Sequence, residues 1–126
     1  MKIVIAGSMF FLKEFEEAKK VLEKKGHKVI LPKKDSLPEP IPISLKREAM
    51  NVFNENLKNC DAILIMNYTK NNKENYIGVN SLMEIGMAFI LGKKIFLLNS
   101  PPEHTKHEMD AIEAVILDGN LDNVSD

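Results

Sequence analysis

Four short apolar runs rich in β-branched residues recur along the chain, and stretches with helical spacing lie between them. Strand, helix, strand in repetition leaves parallel pairing with right-handed crossovers as the arrangement that buries every run. The first run, Lys2-Ile3-Val4-Ile5-Ala6, stops at Gly7-Ser8 and shows no polar alternation, as a strand covered on both faces requires. After it, Phe11, Phe15, Ala18 and Leu22 recur at steps of four, three and four, while Lys13, Glu14, Glu16, Glu17, Lys19 and Lys20 take the opposite face. Gly26 follows Lys24-Lys25 and ends that helix, with cations near the negative end of the dipole and glycine at the left-handed position. Residues 27–31 read as a second strand closed by Pro32.

From 32 to 44 the composition changes, because four of the six prolines fall here (Pro32, Pro38, Pro40 and Pro42) and neither a helix nor a central strand can run through them. This segment is expected to be a surface loop, lid-like, rather than a domain boundary. A helix is expected over 45–59, a third strand over 61–66, a polar loop over 67–77, and a third helix from Asn80 or Ser81 to just before Gly92. Residues 94–98 make a fourth strand, 108–113 a weak helix, and 114–117 a further short apolar run; the polar tail 119–126 is expected to fray. The architecture is a single α/β domain over 1–126: a small doubly wound parallel sheet of four to five strands, flavodoxin-like in order, with helices on both faces.

Charge narrows the partners. Seventeen Lys and Arg against 18 Asp and Glu give a formal net charge of -1, which argues against binding a nucleic-acid polymer through a basic surface. No apolar run approaches the roughly 18 residues of a membrane span, and the N-terminal run is too short for a signal peptide. One cysteine, Cys60, and three histidines are a poor donor set for a disulfide framework or a closed zinc site. The expectation is a cytoplasmic protein with no metal and no redox cofactor.

In such sheets ligands bind outside the carboxyl ends of the strands, near the switch in strand order. That rule gathers Gly7-Ser8-Met9, Asn67-Tyr68, Asn80-Ser81 and Asn99-Ser100 as neighbours and nominates Gly7, Ser8, Asn67, Tyr68, Asn80, Ser81 and Asn99 for substrate binding. Gly7-Ser8 is read either as a ligand-approaching turn or as a plain βα turn with Ser8 as cap. The sharpest feature is Glu84, the only charged residue in the otherwise apolar stretch 81–91. Burial raises a carboxyl pKa and the positive end of a helix dipole lowers it, so the sign stays open here. Ser81-x-x-Glu84 also fits a capping box, in which Glu84 would return to the N-cap amide and do no chemistry.

The segment Gly78-Val79-Asn80-Ser81-Leu82-Met83-Glu84-Ile85-Gly86-Met87-Ala88, with Gly92-Lys93-Lys94-Ile95-Phe96-Leu97-Leu98-Asn99 after it, resembles the nucleoside 2-deoxyribosyltransferase superfamily, which includes nucleoside 5′-monophosphate N-glycosidases. It is similar to that superfamily's Gly-Thr-x-x-Glu-x-Gly helix followed by a lysine and an aliphatic strand. The opening Ile3-Val4-Ile5-Ala6-Gly7-Ser8 and Asp61-Ala62-Ile63-Leu64 resemble its first and third strands. The resemblance implies a flavodoxin-like sheet, Glu84 as the nucleophile on the anomeric carbon, and sites completed across subunits. Four features depart from the pattern: Asn80-Ser81 stands for Gly-Thr, Gly78 for an acidic residue, residues 51–56 hold no Asp, and Phe10-Phe11 lack an aromatic hydroxyl.

The implied chemistry is attack by the Glu84 carboxylate on the sugar while a proton reaches the departing base, followed by release of the glycosyl-enzyme to water or another base. Glu55 and Tyr68 are candidates for the proton donor by location. The alternative is a domain that binds a nucleotide or another small ligand and has kept the fold without the chemistry. A homodimer is expected, since 81–91 offers too little polar surface for an exposed helix.

Overall fold

The computed structural model describes residues 1–32 and 40–126. Five strands form one parallel sheet: β1 (Lys2–Ala6), β2 (Lys28–Ile30), β3 (Ala62–Ile65), β4 (Lys94–Leu97) and β5 (Val115–Ile116), in the order β2-β1-β3-β4-β5. This is the doubly wound, flavodoxin-like order. Val4 pairs with Ile30 on one side and Ile63 on the other, and Ile63 continues the row to Ile95. The order reverses between β1 and β3, so the crevice rule points to the carboxyl ends of those strands.

Alternation along each strand divides the core into two layers. Ile3, Ile5, Ala62 and Leu64 face α1 (Leu12–Lys24) and meet its Phe15, Ala18 and Leu22, all buried. Val4, Ala6, Ile63 and Ile65 face the other way, toward α2 (Ile43–Lys58), α3 (Val79–Ile90) and α4 (Lys106–Ala111), and pack with Leu57, Ile85, Ala88 and Met109. α2 is peculiar: of its 16 residues only Leu57 is buried. It is anchored at its C-terminal end, and its earlier turns stand over a cleft.

Several boundaries differ from expectation. The lid-like reading of 32–44 falls largely on 33–39, outside the described residues, and α2 starts at Ile43, directly after Pro42 as N-cap. The tail does not fray. Val124 is buried, Leu121 packs on the α1 layer, Lys25 Nζ lies 2.7 Å from Asp122 Oδ1, and Asn123 Nδ2 donates to Leu117 O at 2.9 Å. Two apolar side chains in a polar segment suffice to dock it. Nor is α3 buried on most sides: Ser81, Ile85 and Ala88 face the sheet, while Val79, Leu82, Met83, Phe89 and Ile90 are exposed.

Candidate functional site

A cleft of about 630 Å³ opens at the carboxyl edge of β1, within the range of small-ligand sites. Its floor is Val4, Ala6 and Gly7 from β1 and the turn after it, with Met9 and Leu31 alongside. One wall is α2, whose Leu45, Ala49, Phe53 and Asn56 fall on one face at steps of four, four and three, beside Lys46, Glu48 and Met50. The other wall is α3, contributing Asn80, Ser81, Met83, Glu84 and Met87.

The turn that opens the floor depends on Gly7. Its φ is +147°, and a Cβ there would stand 3.2 Å from both Met66 O and Phe15 Cζ. Only glycine lets the chain leave β1 this close to the neighbouring strand.

Glu84 lies in the second turn of α3. The N-cap is Gly78, not Asn80 or Ser81, and no side chain caps the helix. The capping box is therefore not formed: Ser81 and Glu84 are both inside the helix, too late to serve its first amides. The sequence placed the helix start one or two residues late because Val79, a β-branched residue, gave no start signal. Glu84 also lies beyond the first turn, where the dipole acts most strongly. Burial decides the sign that the sequence left open, pushing the carboxyl from its ordinary 4.5 up to about 7, against the opposing pull of the Lys46 ammonium. Among the described residues none hydrogen-bonds to the Glu84 carboxylate. A half-buried carboxylate without a hydrogen-bond partner among the described residues, set beside methionines in an open cleft, makes Glu84 the candidate reactive group of the site.

Of the residues nominated for binding, Gly7, Asn80 and Ser81 line this cleft. Ser8 sits at its lip between Gly7 and Met9, accepting from Phe10 N at 3.3 Å and from Lys70 Nζ at 2.9 Å. Asn67, Tyr68 and Asn99 lie elsewhere. Asn67 is fully buried and latched to the β4 exit: its Nδ2 donates to Asn99 O at 2.8 Å, its Oδ1 accepts from Asn99 N at 2.9 Å, and Asn99 Nδ2 donates to Asn67 O at 3.1 Å. With those bonds made, the two amides hold β3 and β4 exits together instead of facing the cleft. Tyr68 packs against Phe11 on the α1 side of the sheet, with ring centroids 5.0 Å apart. Burial first, then Glu14 and Glu17, push its hydroxyl pKa up.

The proton-donor candidates also move. Glu55 is exposed, 3.3 Å from Lys58 Nζ, and outside the cleft lining, as is Tyr68. The second carboxylate in the cleft is Glu48. Sequence reading missed Glu48, Lys46 and Asn56; the signal was present in the 45, 49, 53, 56 row, where Asn56 is the one polar member of an otherwise apolar stripe. Among the described residues no group of three or more His, Cys, Asp or Glu side chains is placed to hold a metal ion.

No family model and no curated protein sequence matches the chain. Solved structures do. The 2-deoxyribosyltransferase of Bacillus psychrosaccharolyticus aligns with TM-score 0.59 at 25% identity, over 77% of this chain and 71% of that one. A CMP N-glycosidase of Clostridium botulinum aligns with TM-score 0.61 at 18% identity, over 92% and 88%. In fold, the chain is similar to 2-deoxyribosyltransferases and to this N-glycosidase. A 2-deoxyribosyltransferase of Leishmania mexicana adds TM-score 0.56 at 19% identity, over 85% and 71%. These likenesses span most of the chain. Among the described residues no helix is long and apolar enough to cross a membrane.

Proposed function

We propose that the protein cleaves or transfers at the N-glycosidic bond of a nucleoside or nucleoside 5′-monophosphate, with Glu84 as nucleophile and a covalent glycosyl-enzyme as intermediate. The observation that carries the reading is Glu84 itself, a carboxylate without a hydrogen bond from any described residue, raised to about 7 in a largely apolar cleft at the switch point of the sheet. The likeness to enzymes whose names specify deoxyribosyl transfer and CMP N-glycosidic cleavage supports the bond class.

In this reading the Glu84 carboxylate forms a bond to the anomeric carbon as the bond from that carbon to the base nitrogen breaks. Its half-desolvated state favours attack, since fewer waters must leave the oxygen. Glu48, across the cleft on α2, delivers the proton to the departing base, and Asn56, Asn80 and Ser81 offer hydrogen bonds to sugar and base. Water or a second base then takes the glycosyl group from Glu84. Lys46 keeps a fraction of Glu84 ionised at neutral pH. The reading needs no metal and no cofactor.

The same reading has the chain working as a homodimer. The exposed row Val79, Leu82, Met83, Phe89 and Ile90 runs along α3, and Met83 belongs both to that row and to the cleft wall. The one cysteine, Cys60, is buried and free, which suits a reducing compartment such as the cytoplasm.

The test is incubation with a panel of ribo- and 2′-deoxyribonucleosides and their 5′-monophosphates, followed by chromatography for free base. Base release by the parent and none by Glu84→Gln is the expected outcome. The departures at Gly78 and Asn80 favour a second reading, a ligand-binding domain without the chemistry. Binding of a panel member with no base release would select it.

A further inference from the structure

One row of α2 is only partly taken up by the sheet. Lys46, Met50, Phe53 and Leu57 recur at steps of four, three and four, the spacing of a helix face that a strand would cover. Leu57 alone is fully buried, in the layer of Val4, Ala6 and Ile63. Phe53, with Met87 of α3, is half-buried against that layer, and Met50 and Lys46 are half-buried where the cleft opens. From α3 the cleft receives Asn80, Glu84 and Met87, again at steps of four and three. The Lys46 ammonium acts on the Glu84 carboxyl, so the two rows face one another.

Both helices run from the carboxyl edge of the sheet toward its amino edge, because α2 feeds β3 and α3 feeds β4 in a parallel sheet. Both rows change character along that direction. Lys46 and Asn80 stand at the mouth and Glu84 between, while Phe53 and Met87 close the inner end with Met50 beside them. A sugar is covered with hydroxyls, and each one carried into an apolar pocket without a partner costs free energy. That confines the sugar to the mouth, near Lys46, Glu48, Asn80 and Ser81. With the anomeric carbon at Glu84, the base extends inward, toward Phe53 and Met87. Among the described residues the polar side chain left for its far edge is Asn56. An unmodified base sets several amino, carbonyl and ring-nitrogen groups along that edge, against one amide. A hydrocarbon substituent instead meets thioether and ring, and methionine, unbranched and flexible, adapts to its shape. Covering this apolar surface recovers free energy in proportion to the area removed from water.

We infer that Met50, Phe53 and Met87 form a subsite for a hydrocarbon group carried by the departing base, so that the protein acts on nucleosides or nucleotides with an alkylated base in preference to unmodified ones. The inference rests on the proposed reading for the bond that breaks, and names the substrate class of that site. The chemistry at Glu84 is unaltered by it: the base leaves with a proton, and the substituent leaves with the base.

The experiment is calorimetric titration of full-length Glu84→Gln protein with two series, each as nucleoside and as 5′-monophosphate. One runs from adenosine through N6-methyl to N6-pentyl, the other from cytidine through the same N4-alkyl chains. In at least one series affinity is expected to rise about fourfold with each methylene until the inner end is filled. Met50→Gln and Met87→Gln, each added to Glu84→Gln, should reduce the slope to below about twofold per methylene, and Met50→Leu should keep it. A merely structural role for these side chains would weaken every member of a series alike and leave the slope unmoved. A flat response in both series, a slope that survives both Gln substitutions, or no binding by any member would each overturn the inference. A flat response joined to loss of the dimer in Met50→Gln would assign the inner end to a second copy of the chain, and overturn it likewise. Failure of the catalytic reading looks different: binding that grows with alkyl length, with no base release by the parent. Equal kcat/KM for alkylated and unmodified substrates keeps the catalytic reading and removes this one.

Discussion

Glu84 concentrates the testable consequences at the scale of one residue. A nucleophile must be ionised and a proton donor protonated, so kcat/KM for base release should be bell-shaped in pH with one limb near about 7, the value that burial imposes on Glu84. Stability should fall as pH rises past that value. The folded pKa is raised above the ordinary 4.5, so the contribution of Glu84 to stability is fully present below about 4.5 and is lost as pH rises through about 7. The loss is at most roughly 3 kcal/mol. Glu84→Gln, which never ionises, should therefore melt with the parent near pH 4 and above it at pH 8, while releasing no base. Thermal melts at the two pH values, run beside the chromatographic assay, check both halves. Equal melting at pH 8 would mean that Glu84 is better solvated than its surroundings imply. Asn67 makes a different case. Asn67→Ala would leave Asn99 N and the Asn99 carbonyl short of partners, costing roughly 2–3 kcal/mol in denaturant unfolding. A loss well below that would show that water replaces the latch.

At the scale of elements, two features place the site. The turn after β1 must leave the sheet between Met66 O and Phe15, and it does so at a φ that a side chain strains. Gly7→Ala is expected to destabilise by roughly 1–3 kcal/mol, from backbone strain and the 3.2 Å contacts together. Urea unfolding measures it; a neutral substitution would mean that the turn relaxes freely. The second feature is α2, anchored by Leu57 and otherwise turned toward the cleft. Its amphipathic row was readable, but which surface it covered was not. Apolar spacing says that a face avoids water without saying whether a sheet or a ligand replaces the water. The helix starts show a similar limit: Ser81-x-x-Glu84 had the spacing of a capping box, yet the chain entered α3 at Gly78.

At the scale of the whole molecule, the proposed homodimer would cover the exposed apolar row on α3. Light scattering is expected to give twice the chain mass of 14.3 kDa for the parent and the single-chain mass for Phe89→Glu/Ile90→Glu. These are outward positions on α3, 51% and 82% exposed, so a charge there meets the partner rather than the chain's own core. A parent that scatters as a monomer would dismiss the dimer.

The sequence by itself determined the strand–helix alternation, the two-faced burial of β1, β3 and β4, and with them the doubly wound sheet. These follow from local periodicity and chain connectivity, which the residues carry in order. It also isolated Glu84, because one charge in an apolar helix is visible without coordinates. The tertiary structure decided what stands near Glu84. Glu48, Lys46 and Asn56 reach the cleft, while Glu55, Asn67, Tyr68 and Asn99 do not, although all were equally plausible by position along the chain. It also decided the sign of the Glu84 shift, since desolvation and dipole oppose one another and only the depth of burial and the true start of α3 set their balance. Facing elements and solvent exclusion depend on how distant segments meet, and no local pattern encodes that distance.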